Sequence, residues 1–152
     1  MSLTQLIRTL HREVPLLNEA SGVWNSVAAG VMRRLNRHAL IAEENGTAIF
    51  IEEVWDSDED QRIYRLEYRC TFDAQHALAY CLFNPWSRGN GPHAGVSVCQ
   101  GHVFANGLLC LGRHHTDCVR RSSMDLLTTV KRARYWCTAF SVLQETGKFP
   151  NL

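Results

Sequence analysis

The segment RIYRLEYRCTF, residues 62–72, is the most regular pattern in the chain and points to its fold class. Apolar and aromatic residues occupy every second position of it: Tyr64, Leu66, Tyr68, Cys70 and Phe72. Most of the positions between them are charged or polar. Because successive side chains of a strand point to opposite faces of a sheet, this alternation predicts an antiparallel strand with one face in the core.

The segments on both sides predict three further strands. TAIFIEEVW (47–55) is rich in β-branched and aromatic residues, and the acidic stretch after it predicts a turn. HALAYCLF (76–83) is apolar on both faces, which is typical of a central strand, and GVSVC (95–99) predicts a short last strand. Between these two, NPWSRGNGPHAG (84–95) is rich in proline and glycine and predicts a long surface loop.

Helical periodicity flanks the predicted strands. Residues 3–13 indicate a short amphipathic helix that ends before Pro15. A second helix is expected after an N-cap at Ser21 and should end near EENG, residues 43–46. A long last helix should begin at a capping box formed by Ser122 and Asp125 and end at Gly147. Its core stripe repeats at helical spacing: Leu126, Val130, Ala133, Cys137 and Phe140.

This order of elements predicts an α+β fold for residues 1–152 as one domain. Strands that follow one another without helical crossovers form an antiparallel sheet with helices on one face or at its ends. We therefore expect a four-stranded antiparallel meander, N-terminal helices and a long C-terminal helix.

The composition is that of an ordinary globular protein, with 45% hydrophobic residues, 20% charged residues and a formal net charge of +1. This balance gives no global attraction to nucleic acid or membrane. No apolar run approaches the ~20 residues that a membrane helix needs, and Arg8, His11 and Arg12 interrupt the N-terminal segment unlike a signal peptide. We expect a cytoplasmic protein, in which the six cysteines stay reduced.

The segment GHVFANGLLCLG, residues 101–112, resembles the active-site segment of ubiquitin-conjugating enzymes. In that family a His-Pro-Asn triplet is followed by Asn-Gly, two residues, Cys and Leu. Four residues match this spacing without a gap: Asn106, Gly107, Cys110 and Leu111. The triplet itself is replaced by QGH, residues 100–102, which puts His102 at the position of the family's Asn. The predicted order of elements also agrees with the family's fold, except that two helices instead of one precede the strands and that the family's Tyr-Pro…Pro-Pro segment is reduced to Pro85, Trp86 and Pro92.

The resemblance implies a conjugating enzyme that holds the C-terminus of a ubiquitin-like modifier as a thioester on Cys110. Its partners would be that modifier, an adenylating activating enzyme and a lysine on a target protein, and no cofactor would be needed. His102 would replace the family's Asn as the hydrogen-bond donor to the oxyanion formed during transfer. The departures from the family pattern fit a divergent bacterial branch encoded with its own modifier in antiphage operons.

Residues on both sides of Cys110 complete this hypothesis. Asn106 and Gly107 would form the turn that precedes the cysteine. The incoming amine must lose a proton, and RHHTDC (113–118) places His114, His115 and Asp117 close to Cys110 in the chain. Any of the three could act as base or orient the acceptor.

Two other functions remain open at this stage. A zinc-binding scaffold could use four of six candidate ligands: Cys99, His102, Cys110, His114, His115 and Cys118. A relative of the conjugating enzymes without catalytic activity could serve only as a binding protein. Cys70, Cys81 and Cys137 are expected in the core, whereas the basic residues around Lys131 and Arg132 are more simply read as a solvated helix face.

Overall fold

The structure, a computed structural model, describes residues 26–44, 48–56, 62–87, 96–112 and 124–150. Within these ranges seven elements follow one another: α1 (Val27–Leu35), β1 (Leu40–Glu44), β2 (Ala48–Asp56), β3 (Ile63–Cys70), β4 (Ala77–Phe83), a one-turn helix α2 (Val98–Gly101) and α3 (Leu126–Thr146). The predicted helix at 3–13, the predicted cap Ser21 and Ser122 lie outside the described residues.

The four strands form one antiparallel sheet in the order β1-β2-β3-β4, so the α+β class and the meander are confirmed. The alternation read from residues 62–72 is also confirmed, because Tyr64, Leu66, Tyr68 and Cys70 of β3 are all buried. In the register of the sheet, Tyr68 pairs with Ile51 of β2, which is also completely buried.

The first strand is not where the sequence suggested. The prediction that the second helix continues to residues 43–46 is wrong, because α1 ends at Leu35 and residues 40–44 form β1. Pairing of Ile41 with Ile51 buries the Ile41 side chain in the sheet. Burial against β2 thus overrides the helical propensity of the Ala-Glu-Glu sequence in this stretch.

The prediction of a strand at residues 95–99 is also wrong, since Val98–Gly101 is a helical turn. The side chain of Ser97 accepts a hydrogen bond from the backbone N–H of Gln100, which is N-cap geometry. β4, expected as a central strand, is the last strand of the sheet. Its outer edge is nevertheless bonded, because Leu109 N–H donates to the Ala79 carbonyl and Ala77 N–H donates to the Met124 carbonyl.

Helix α3 covers one face of the sheet and contacts α1, β3 and β4. Its predicted core stripe is buried in full: Leu126, Val130, Ala133, Cys137 and Phe140. The N-cap of α3 is Asp125, whose side chain accepts a hydrogen bond from Thr128 N–H. The sequence prediction had given Asp125 a different role, as the partner of a cap at Ser122 in a capping box. The helix ends as predicted at Gly147, which adopts a left-handed conformation with φ 79°.

One ion pair is built into this core. Glu53 of β2 is completely buried and accepts a 2.9 Å hydrogen bond from Arg134 of α3. Burial raises the pKa of Glu53 although the hydrogen bond from Arg134 acts in the opposite direction. The Arg134 guanidinium also lies 4.2 Å from the ring centroid of Trp55, which fixes the helix on the sheet from a second side.

None of the described helices is both long and apolar enough to span a bilayer.

Candidate active site

A tight hairpin turn precedes Cys110. Gly107 N–H donates to the Phe104 carbonyl, Phe104 N–H donates to the Leu108 carbonyl, and the side chain of Asn106 accepts from Leu108 N–H. Gly107 has φ 91°, a conformation that residues with a side chain rarely adopt. The Asn-Gly pair therefore forms the turn that the sequence predicted.

The turn is seated directly on the edge of β4. Cys81 N–H donates a 2.8 Å hydrogen bond to the Gly107 carbonyl, and a Cβ atom on Gly107 would lie only 2.7 Å from the Cys81 carbonyl oxygen. Glycine is thus required at this position by its backbone angle and by its contact with the sheet. The consequence is that the sheet determines where the segment carrying Cys110 lies.

His102 and Cys110 lie opposite each other across this hairpin. Cys110 N–H donates a 2.8 Å hydrogen bond to the His102 carbonyl, next to the isolated bridge between Val103 and Leu109. His102 is the C-cap of α2 and has left-handed angles of φ 54° and ψ 38°. Asparagine and histidine are among the non-glycine residues that tolerate this region best. The structure therefore brings together the two residues that the resemblance paired.

Helix α3 holds both strands of the hairpin from the side. The indole Nε1 of Trp136 donates to the Gly101 carbonyl at 2.7 Å, and Nη1 of Arg132 donates to the Leu111 carbonyl at 2.8 Å. Trp136 and Arg132 are four positions apart and thus share one face of the helix. The residue before His102 and the residue after Cys110 are therefore both fixed to the same face of α3, on successive turns.

A pocket of about 440 Å³ opens between the hairpin and α3. Cys110 is on its wall, although only 4% of the residue is exposed. The residues that line the pocket come from the hairpin, from α3 and from the segment after α3, and they include His102, Cys110, Lys131, Arg132, Tyr135 and Phe149. Among the described residues, this pocket therefore offers a narrow chain end a route toward Cys110.

The pocket is basic on one side and aromatic on the other. Lys131 and Arg132 are exposed residues on the α3 side, and the described lining residues include no carboxylate. The ring of Phe149 packs against the imidazole of His102 at a tilt of 43°, with 4.4 Å between the ring centroids. This contact holds one face of the His102 ring, so the imidazole has a defined place at the pocket wall.

Comparisons of the chain with protein-family models, curated proteins and solved structures found no match.

The other predicted site residues fall outside the part of the chain that the structure describes: His114, His115, Asp117 and Cys118. Three candidate zinc ligands are described, namely Cys99, His102 and Cys110, and Cys99 is exposed. Among the described residues, no three His, Cys, Asp or Glu side chains are grouped as a metal ion requires. The three predicted core cysteines, Cys70, Cys81 and Cys137, are buried as expected, and burial raises the pKa of each thiol.

Sequence reasoning missed the contribution of α3 to the site. Lys131 and Arg132 were interpreted as a solvated face; both are exposed, but they also line the pocket. Trp136 is 2% exposed, and its N–H donates to the Gly101 carbonyl beside the pocket. The sequence did contain one sign of this contribution, because residues 131, 132, 135 and 136 are spaced so that their side chains lie on neighbouring rows of one helix. That spacing does not indicate which loop the side chains face.

Proposed function

We propose that this chain is a conjugating enzyme, which holds the C-terminus of a ubiquitin-like modifier as a thioester on Cys110 and transfers it to a lysine of a target protein. The observation that carries the proposal is the placement of Cys110 beside His102 on the wall of one pocket, with their backbones joined by a 2.8 Å hydrogen bond. A nucleophile and a hydrogen-bond donor in one site are what acyl transfer requires.

In the loading step, the Cys110 thiolate attacks the carbonyl carbon of a thioester between the modifier and its activating enzyme. A new C–S bond forms to Cys110, the C–S bond to the activating enzyme breaks, and the released thiolate takes up a proton. The thiolate, rather than the thiol, is the nucleophile in this step. Lys131 and Arg132 line the same pocket as Cys110.

In the discharge step, the neutral amine of the acceptor attacks the same carbonyl carbon. The oxygen becomes an oxyanion, and the N–H of the His102 imidazole can donate a hydrogen bond to it. Collapse of this intermediate forms the amide, expels the Cys110 thiolate and releases the proton of the amine. His114, His115 and Asp117 remain the proposed groups for accepting that proton or orienting the amine.

The architecture supports the same function. A four-stranded antiparallel meander, an Asn-Gly turn with a cysteine three residues later, and a following long helix occur in the order expected of the ubiquitin-conjugating fold. We extend the proposal to a bacterial, cytoplasmic setting, because the departures around His102 fit the branch that is encoded with its own modifier in antiphage operons.

The test is formation of a thiol-sensitive adduct on Cys110. The full chain is incubated with a candidate activating enzyme, its modifier and ATP, and parallel samples are run on reducing and non-reducing gels. In a second arm that needs no partner enzyme, synthetic peptide thioesters ending in glycine replace the modifier, and the acylated residue is located by mass spectrometry. We expect one acyl group per chain, on Cys110, released by added thiol.

Cys99 provides a matched control because it is an exposed thiol only eleven positions earlier. Cys99→Ser should load at the natural rate, whereas Cys110→Ser should lose the thiol-sensitive adduct. Acylation that follows Cys99 instead of Cys110, or a natural chain that no glycine-ended thioester acylates, would contradict the proposal.

A further inference from the structure

The charge around Cys110 distinguishes between the two substrates of the proposed reaction. Lys131 and Arg132 line the α3 side of the pocket, and His102 lines the hairpin side. The described lining contains no carboxylate to balance these groups. A ligand segment that carries negative charge is therefore attracted to this pocket, and a positively charged one is repelled.

The positive charge of the pocket disfavours a protonated lysine as the acceptor. A protonated lysine side chain would approach Lys131 and Arg132 as a like charge, and only the neutral amine would be tolerated beside them. The acyl donor has no such restriction, because its reacting carbonyl is uncharged and the residues before it are free to carry a carboxylate. The pocket charge therefore fits the donor.

The shape of the pocket adds a second condition. Cys110 is 4% exposed and the walls beside it include the large rings of Trp136 and Phe149. A slender chain end without a bulky side chain suits an approach between these rings. The residues that precede this end then lie along the exposed outer wall of the pocket. Lys131 of α3 is part of that wall.

We propose that the pocket selects a modifier tail in which an acidic residue stands one to three positions before a terminal glycine, with Lys131 as the residue that recognises the carboxylate. This inference rests on the proposed function, because it concerns the acyl group that Cys110 accepts. Arg132 contributes to the same field, but its Nη1 donates to the Leu111 carbonyl and so also holds the backbone after Cys110. Lys131 is therefore the residue to change in a test.

The experiment measures acylation of Cys110 by three synthetic peptide thioesters that end in glycine and differ only at the position two residues earlier, which is Asp, Asn or Lys. Rates are measured on the full chain at low and high salt by mass spectrometry. An ion pair at an exposed site changes such a rate modestly, so we expect the Asp peptide to react about fivefold faster than the Asn peptide. The Lys peptide should be slowest, and high salt should reduce all the differences.

Charge reversal assigns the effect to Lys131. Lys131→Glu should abolish the preference for Asp and favour the Lys peptide. Arg34→Glu provides the matched control, because Arg34 is an exposed cation of α1 that does not line the pocket and its replacement changes the net charge equally. It should leave the order of the peptides unchanged.

Each result has a separate meaning. Equal acylation of Cys110 by all three peptides, or a preference for Asp that survives Lys131→Glu, would overturn this inference and leave the proposed function standing. Failure of every peptide to acylate Cys110 would overturn both. A preference for Asp that Lys131→Glu reverses and Arg34→Glu preserves would support the recognition of an acidic tail.

Discussion

The indole Nε1 of Trp136 donates a 2.7 Å hydrogen bond to the carbonyl oxygen of Gly101, the residue immediately before His102. Both partners are buried, so the bond has no competition from water. A Cβ on Gly101 would lie 2.4 Å from Val96 Cγ1 and 3.3 Å from the ring of Phe140, so the backbone at this point packs closely against its neighbours. The long helix α3 and the hairpin that carries Cys110 are thereby joined at one polar contact inside an apolar region.

Replacement of Trp136 by Phe should reduce the free energy of unfolding by about 2 kcal/mol, because the Gly101 carbonyl would be left buried without its donor. Urea denaturation measures the change. Tyr135→Phe is the neighbouring control, since Tyr135 is 43% exposed and should change stability by less than about 0.5 kcal/mol. Equal losses in the two variants would show that the Trp136 hydrogen bond is not the cause.

His102 permits a test of its role apart from its backbone conformation. His102→Gly keeps access to the left-handed region but removes the imidazole, whereas His102→Asn tolerates the same region and keeps a donor. We expect His102→Gly to slow discharge of loaded Cys110 to free lysine about a hundredfold, the effect of losing one oxyanion donor. His102→Asn should retain most of the discharge rate.

Both His102 variants should load at the natural rate, measured by single-turnover acylation with a peptide thioester. Discharge of His102→Gly at the rate of the natural chain would remove His102 from the mechanism.

Two glycines should respond in opposite directions to alanine. Gly107→Ala forces a side chain onto a residue at φ 91° and against the Cys81 carbonyl, so we expect a loss of about 2 kcal/mol or more and slower acylation of Cys110. Gly30→Ala lies within α1, where the new Cβ meets no atom within 4 Å, and should stabilise by about 0.5–1 kcal/mol. Thermal or urea unfolding compares them, and a stable Gly107→Ala would mean that the hairpin is not seated on β4.

Asp125 should make the stability of α3 depend on pH at the acidic end. The hydrogen bond from the Thr128 backbone N–H is the largest cause that lowers the Asp125 pKa below its ordinary value of 3.8. Since the folded state favours the ionised form, the stabilisation is present above 3.8 and is lost as the pH falls through the lower folded-state pKa.

Asp125→Ala should cost about 1 kcal/mol at neutral pH through loss of the N-cap. Asp125→Asn keeps a capping acceptor, so the advantage of the natural chain over it should shrink as the pH is lowered below 3.8. Urea midpoints at several pH values measure this difference. A difference that stays constant through the acidic range would rule out ionised Asp125 as its source.

The sequence patterns that correctly predicted β3 and α3 lie within short segments of the chain. In β3, burial of one face makes apolar residues recur at every second position, and this pattern is visible within the segment alone. In α3, the stripe from Leu126 to Phe140 and the glycine after the helix can be read in the same way. The Asn-Gly turn before Cys110 is similarly local, because a left-handed position at Gly107 needs only its own residue type.

The elements that differ from prediction depend on partners distant in the chain. Residues 40–44 contain residues that favour helices, but their pairing with β2 makes them a strand. Val98 and Cys99 belong to the segment predicted as a strand, but Ser97 caps a helical turn there instead. Local propensity differs by less than about 1 kcal/mol per residue between such alternatives, so pairing and capping outweigh it.

The order of residues was sufficient to indicate the fold class, the turn and the cysteine after it, because repeating burial and a required backbone angle are properties of short segments. The order of residues did not indicate the pocket. Arg132 and Trp136 contact the Cys110 hairpin through hydrogen bonds that span 21 and 35 positions of the chain. Such contacts exist only after α3 has packed on the sheet, and that packing places a basic, aromatic wall beside the thiol.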